Sequence, residues 1–328
     1  MKPQQKKIIL YATIFIAFLW VLFFAVFFWQ RNRTKEQLSL ATPSSIPATS
    51  QPSITPSATE TPSPTPTPTV IPTATQTPLP TATPILDADG QTPRIIGYSV
   101  EGRPLEMYRF GTGEDHRLII AGIHGGYEYN TVDLAYELIT YLQENLELVP
   151  QEMTLFLLPA LNVDGYTNLR GAYEGRPNAN GVDLNRNWNW NWKADWEKSG
   201  CWNYAPINGG TSPFSEPETE ALRQFILDEN INALISYHSA ALGIFHGGSP
   251  EPHPGSVSLA ETAASVSPYA YPAIDYGLCE VTGMLAHWAA DQNIAAIDIE
   301  LTNHAYTDYE INVEILKAFL NWQNPTTP

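Results

Sequence analysis

The chain has 328 residues, with 34 Asp+Glu against 17 Lys+Arg and a formal net charge of −17 at pH 7. That acidic excess disfavours nucleic acid and anionic lipid headgroups as partners. Two cysteines, Cys201 and Cys279, are too few for a disulfide scaffold, although an oxidising exterior would allow them to pair.

Ile8 to Trp29 contains no charged residue and is long enough to cross a hydrocarbon core of about 30 Å as a helix. Lys2, Lys6 and Lys7 precede it and Arg31, Arg33 and Lys35 follow it, so charge asymmetry does not set its orientation. The stretch exceeds a secretory h-region and no A-x-A-like site follows. Residues 1–37 are therefore read as an uncleaved signal anchor spanning 8–29, with a cleaved signal as the alternative. Residues 38–92 are dominated by Pro, Thr, Ser and Ala, as in Pro62-Ser63-Pro64-Thr65-Pro66. Such a segment lacks the apolar surface to offset chain entropy and reads as an extended, disordered spacer. Exported stalks share this composition. The expected location is therefore the cell membrane, single-pass, with the region after the spacer outside the cytoplasm.

Residues 93–328 are long enough for one domain with a sizeable core. Arg94 to Val100 and Leu105 to Phe110 predict two strands around the turn Glu101-Gly102-Arg103-Pro104. Leu118, Ile119, Ile120 and Ile123 form a β-type run that stops at His124-Gly125-Gly126-Tyr127-Glu128. Val132, Ala135, Leu138, Ile139, Leu142 and Leu146 follow at helical spacing, with Asn130 as the expected cap. Thr154 to Leu158 is a further strand, running into a turn-rich loop at Pro159 to Gly165. Strand, helix, strand is a βαβ unit. It predicts an α/β fold, three-layer α/β/α, with a central mixed, largely parallel sheet.

A neutral imidazole and a carboxylate are ligands that Zn²⁺ takes in open catalytic sites, so His124 and Glu128 read as half of a zinc site. Two more apolar runs end on polar groups of the same kind: Ile231 to Ser239 on His238, and Ala295 to Leu301 on Glu300. Reactive groups collect at the carboxyl ends of parallel strands, and three tipped runs fit that rule together.

Gly181-Val182-Asp183-Leu184-Asn185-Arg186-Asn187-Trp188 then carries a family likeness. Together with His124…Glu128, the Asn162-Val163-Asp164-Gly165 turn, Pro213 to Thr219, and the strands ending on His238 and Glu300, it resembles the zinc carboxypeptidases of the carboxypeptidase A type. The resemblance runs from about Arg94 to Trp322 and rests on five motifs in matching order. It implies one Zn²⁺ per chain on His124, Glu128 and His238, a terminal carboxylate gripped by Asn185 and Arg186, and Glu300 as general base. It also implies an oxyanion-stabilising arginine, assigned to Arg176 with Arg170 as the fallback. A substrate-capping tyrosine is assigned to Tyr276 by a gapped alignment. The family spaces its first two ligands His-x-x-Glu, whereas three residues separate His124 from Glu128, so Gly125-Gly126 is expected to loop out the extra residue. Where the family often has Asp-Trp near its specificity pocket, this chain has His287-Trp288, and no strongly basic-selective pocket is expected there.

The chemistry of these side chains agrees with those roles. A carboxylate such as Glu300 can take a proton from water and pass it to a leaving amine, and an arginine near the metal suits a developing oxyanion. The planar fork of Arg186 matches a carboxylate in a way lysine does not. Ser215-Glu216-Pro217-Glu218 reads as a capping box before a helix through Leu222, Phe225 and Ile226, and Thr307 to Glu310 starts a last helix. The tryptophans at 188, 190, 192 and 196 read as loop packing, and His246 and His253 as solvated loop residues.

Three functions remain open at this level. The first is a membrane-tethered zinc metallocarboxypeptidase acting on peptides with a free C-terminal carboxylate, cell-wall peptides among them. The second is a zinc amidase for D-amino-acid or γ-glutamyl bonds in wall peptides. The third is a non-catalytic wall-peptide-binding module, suggested by the irregular ligand spacing.

Overall fold

The structure is a computed structural model that describes residues 88–196, 207–273 and 281–325. The apolar stretch at Ile8 to Trp29, the spacer up to Asp87, both cysteines and Tyr276 lie outside the described residues. Among the described residues no helix is long and apolar enough to cross a membrane.

Strands β1 (Arg94–Tyr98), β2 (Pro104–Gly111), β3 (Asp115–Ile120), β4 (Met153–Leu158), β5 (Ala233–Ser239), β6 (Gly243–His246) and β7 (Ala295–Leu301) form one sheet in the order β1-β2-β4-β3-β5-β7-β6. The four strands β4-β3-β5-β7 are mutually parallel, while β1, β2 and β6 pair antiparallel at the margins. The parallel strands are buried on both faces, which is why their sequences read as nearly continuous apolar runs. The folded region reaches back to Ala88, whose carbonyl accepts a hydrogen bond from the Gly111 amide.

The helices are α1 (Tyr129–Glu144), α2 (Val163–Leu169), α3 (Pro217–Asp228), α4 (Pro254–Ser265), α5 (Leu285–Asp291) and α6 (Tyr309–Asn321). On one face of the sheet, Ile119, Leu157, Ile235, Tyr237, Ile297 and Ile299 pack with residues of α1, α4 and α6. On the other, Leu118, Ile120, Phe156, Leu158, Leu234 and Ala296 pack with α3, α5 and Trp188. Helices therefore cover both faces of a mixed sheet.

Several helix starts differ from the expected caps. Glu128, not Asn130, precedes α1, and Asn130 instead donates to the carbonyls of Asn303 and Tyr306, tying the helix start to the loop after β7. Asn162 caps α2 by accepting from the Gly165 amide at 2.9 Å, so the loop expected to end at Gly165 is already helical from Val163. The capping box at Ser215 does not form, because the Ser215 hydroxyl donates to the Glu216 side chain at 2.7 Å. His253 is a cap rather than a solvated loop residue: its Nδ1 accepts from the Ser256 amide at 3.2 Å. His246 closes β6.

The site-facing feature is a change of character on the second face. Leu234 and Ala296 belong to the core, but the next residues with the same orientation are Ser236 and His238 on β5 and Asp298 and Glu300 on β7. The intervening Ile235, Tyr237, Ile297 and Ile299 stay apolar towards α1, α4 and α6. Period-two alternation thus puts four polar side chains in register at the carboxyl ends of two parallel strands.

Candidate metal centre and active site

His124 is brought into place by the turn that leaves β3. The Ala121 amide donates to Leu158 of β4, and Gly122 then takes a left-handed φ of 57°. Gly126 has a φ of 61°, and a Cβ there would stand 2.2 Å from the Ala172 carbonyl oxygen. A side chain at Gly125 would strike the backbone of Gly165 at 2.5 Å. The two glycines let the chain press against the start of α2 and the 172–175 segment while a short 3-10 turn, Gly126–Glu128, swings Glu128 round to His124. The extra residue between these two side chains is absorbed here, and Glu128 still faces the cluster.

His124, Glu128 and His238 each offer a ligand atom within 4.8 Å of the others, and all three are buried. His124 Nδ1 is 3.0 Å and His238 Nδ1 3.5 Å from the Glu128 carboxylate. His124 Nδ1 is a buried atom with no hydrogen-bond partner. Two imidazole nitrogens and a carboxylate turned inward on one point are the donor set that zinc takes in catalytic sites, so the residues fit that ion.

The outer nitrogens are held in turn. His124 Nε2 lies 2.9 Å from Asp183 Oδ1, and the other oxygen of Asp183 accepts from Arg176 Nε at 3.0 Å. His238 Nε2 has Ser236 Oγ at 3.2 Å and Asn185 Nδ2 at 3.4 Å. Such partners fix ring orientation and leave the inner nitrogens available. Asp183 was not among the residues singled out from the sequence, yet it stands two positions ahead of Asn185 and its carboxylate also accepts from the Asn185 amide at 2.9 Å.

Arg176 and Arg170 separate clearly. Arg176 is 8% exposed and donates from Nη1 to Glu128 Oε1 at 2.9 Å and to the Tyr127 hydroxyl at 3.2 Å. Arg170 instead pairs with Asp133 at 2.6 Å and lies over the Tyr129 ring. Asn185 and Arg186 are both buried, and Asn185 contacts His238. The Asn185 side-chain oxygen accepts from the Leu285 amide at 2.9 Å, and Gly283 approaches so closely that a Cβ there would be 2.1 Å from the Arg186 carbonyl oxygen. Glu300 stands beside His238 in the β5–β7 register and accepts from the Ala241 amide at 2.9 Å.

The charges respond to this enclosure. Burial pushes the Glu300 carboxyl up to about 7, with Glu128 and Asp298 adding to the shift and His238 opposing it. Burial also opposes ionisation of Glu128, but His124, His238 and Arg176 override it and hold the carboxyl well below its usual value. Asp183 behaves alike, burial being outweighed by Arg176 and His124. His238 is raised to about 9 although burial disfavours its charge, because Glu128, Asp298 and Glu300 surround it.

The zinc carboxypeptidase family model matches residues 90–317. The chain belongs to the zinc carboxypeptidase family. Among individual members, it is 31% identical over 212 residues to murein peptide amidase A of Escherichia coli K12, a match covering 62% of this chain and 78% of that protein. It is 32% identical over 171 residues to the carboxypeptidase N catalytic chain of Rattus norvegicus, covering 45% of this chain and only 37% of the relative. In three dimensions it resembles murein-tripeptide amidase MpaA of Escherichia coli O157, with TM-score 0.51, 27% identity and coverage of 72% and 95%. Bovine thrombin-activatable fibrinolysis inhibitor shares the fold at TM-score 0.55 and 23% identity, over 70% of this chain and 86% of that one. This zinc carboxypeptidase family member is accordingly a zinc metallopeptidase, and His124, Glu128 and His238 form a cluster that could hold the metal ion.

Three of the tryptophans near the Asn185-Arg186 motif are packed against the fold. Trp188 is fully buried, 4.8 Å from Trp288 and 5.6 Å from Phe214 between ring centroids. Trp190 stacks on His287 at 4.1 Å, and Trp192 donates to the Gly209 carbonyl. Packing, not a ligand cleft, accounts for these three tryptophans. The side chain of Trp196 lies outside the described residues.

Proposed function

We propose that this protein removes the C-terminal residue of peptides, as a carboxypeptidase tethered to the cell membrane by residues 1–37 and held outside the cytoplasm on the 38–92 spacer. The observation that carries this reading is the burial of Asn185 and Arg186, with Asn185 Nδ2 3.4 Å from His238 Nε2 and His238 in register with Glu300, a pair suited to gripping a carboxylate.

His124, Glu128 and His238 would hold zinc, which when bound polarises the scissile carbonyl and acidifies water. Glu300 takes the proton of the attacking water on its carboxylate and passes it to the leaving amine. Its buried position suits that traffic, because a carboxyl raised towards neutrality both accepts and releases a proton readily. Arg176, with its charge fixed by Asp183 and Glu128, directs N–H groups at the oxygen where negative charge develops. Arg186 and Asn185 bind the terminal carboxylate and so select the last peptide bond. Tyr276 is proposed to close over the bound residue.

A second reading is favoured by the identity with murein peptide amidase A: hydrolysis of an amide bond within cell-wall peptides. The two part on a panel of ordinary L-peptides and murein fragments incubated with the zinc-loaded protein and analysed by mass spectrometry. Loss of single C-terminal residues from L-peptides supports the first reading, and cleavage confined to murein fragments supports the second.

A further inference from the structure

Tyr127, the last of the three residues between His124 and Glu128, reaches Arg176 but has no part in the chemistry above. Its hydroxyl accepts from Arg176 Nη1 at 3.2 Å, and the same nitrogen gives its other hydrogen to Glu128 Oε1 at 2.9 Å. Arg176 Nε donates to Asp183 Oδ2 at 3.0 Å. These three bonds use Nε and both hydrogens of Nη1, and among the described residues none comes from Nη2. A guanidinium is planar, so holding two of its nitrogens fixes where the third points.

Tyr127 is itself held. Its ring stacks on Tyr173 at 5.5 Å with an interplanar angle of 8°, and His304 meets it edge-on at 4.6 Å and 88°. His304 Nδ1 lies 2.9 Å from Ser239 Oγ, and that hydroxyl donates to Asn130 Oδ1 at 3.0 Å. The Ser239 amide donates to Glu128 Oε2 at 3.2 Å. Contacts therefore run in a closed circuit from Tyr127 through Arg176, Glu128, Ser239 and His304 back to Tyr127. The choice of acceptor also matters. Arg176 already faces the carboxylates of Asp183 and Glu128, and a third would draw off more of the charge that an oxyanion needs. A phenol oxygen accepts the remaining hydrogen while staying neutral.

We propose that Tyr127 is a positioning residue for the oxyanion: it sets the angle at which Arg176 presents Nη2 to the developing negative charge. The inference rests on the hydrolytic reading for the task of Arg176 and holds whichever amide bond is cut.

The test uses the full-length, zinc-loaded protein and Tyr127→Phe, which keeps the clamped ring and removes only the acceptor. Turnover is measured on peptides and murein fragments, and calorimetry gives dissociation constants for a phosphinic dipeptide, whose tetrahedral anionic group imitates the transition state, and for N-acetyl-L-alanine, which offers a terminal carboxylate alone. Tyr127→Phe should lower kcat by about 10-fold with KM within about 2-fold, and weaken the phosphinic ligand by about 10-fold but not the acetylated amino acid. In an Arg176→Lys background the same substitution should cost nothing further, because its effect passes through the guanidinium. Normal kcat and phosphinate affinity in Tyr127→Phe overturn the proposal and leave the hydrolytic reading intact. An equal loss in the Arg176→Lys background, or a loss that follows zinc content, overturns it too, since Tyr127 then acts on the substrate directly or on Glu128. A wild type that cleaves nothing yet binds the phosphinic ligand through Tyr127 sinks the hydrolytic reading and sustains the positioning role.

Discussion

Glu300 and Asp183 make the sharpest claims at the scale of single residues. Glu300→Gln keeps the size of the side chain and removes its basicity, so turnover should fall by about 10²–10⁴-fold while zinc stoichiometry is retained. Normal turnover in that variant, measured beside its metal content, would remove Glu300 from the mechanism. The same carboxyl sets a pH dependence. A general base works only when deprotonated, so activity should be lost as pH falls through the Glu300 pKa. That value is raised to about 7 by burial, and bound zinc would draw it lower. The acid limb of kcat/KM should therefore lie at or below pH 7, and disappear as a feature of the residual activity in Glu300→Gln. Asp183→Asn loses the carboxylate behind His124 and the fixed partner of Arg176, and should weaken zinc by about 10–100-fold in a chelator competition.

These roles were unequally legible in the sequence. His238 and Glu300 could be read because each ends an apolar run. Asp298 and Ser236 lie within those runs, where an apolar count hides them, and only the alternation I-D-I-E and I-S-Y-H reveals a polar face. Asp183 was visible inside its motif, but nothing in its own residue type announced a contact with His124, 59 positions earlier in the chain.

At the scale of elements, the turn from β3 to α1 decides whether the ligands meet. Periodicity was sufficient to find both elements, since strand and helix each carry an unbroken apolar pattern. It could not say how three intervening residues are accommodated, because that depends on the tertiary approach of the 172–175 segment to Gly126. The cap at Asn130 was misjudged for a related reason: the carbonyls of Asn303 and Tyr306 compete for its side chain from a distant loop. Gly126→Ala should destabilise the protein by about 1–3 kcal/mol, since a left-handed φ and a carbonyl at 2.2 Å both oppose a Cβ. Urea unfolding checks this, and the zinc affinity of the variant should fall as well because Glu128 is displaced. An Ala variant as stable as the wild type would show that the turn has freedom to relax.

For the whole molecule, the mixed sheet and its two layers of helices could be anticipated from the order of strands and helices, whereas the antiparallel return of β6 beside β7 could not, being so short a strand. Stability of the assembled domain should depend on pH through His287. Its pKa is lowered to about 4 by burial, with His246 and Arg186 adding to the effect. Because the folded value lies below the unfolded value of 6.5, this contribution is complete above pH 6.5 and lost as pH falls towards 4. The loss amounts to about 3 kcal/mol at most. His287→Phe should flatten the fall in unfolding free energy across that window, and an unchanged slope would assign acid sensitivity to other groups.

The most direct measurement pairs a peptide bearing a free C-terminal carboxylate with the same peptide amidated at its C-terminus. Both are incubated with zinc-loaded protein and followed by mass spectrometry, with a chelated sample alongside. If Asn185 and Arg186 clamp the carboxylate next to the zinc and Glu300, the free peptide loses one residue, the amide survives, and chelation stops the reaction. Equal cleavage of the two peptides, or cleavage at an internal bond, would contradict the account.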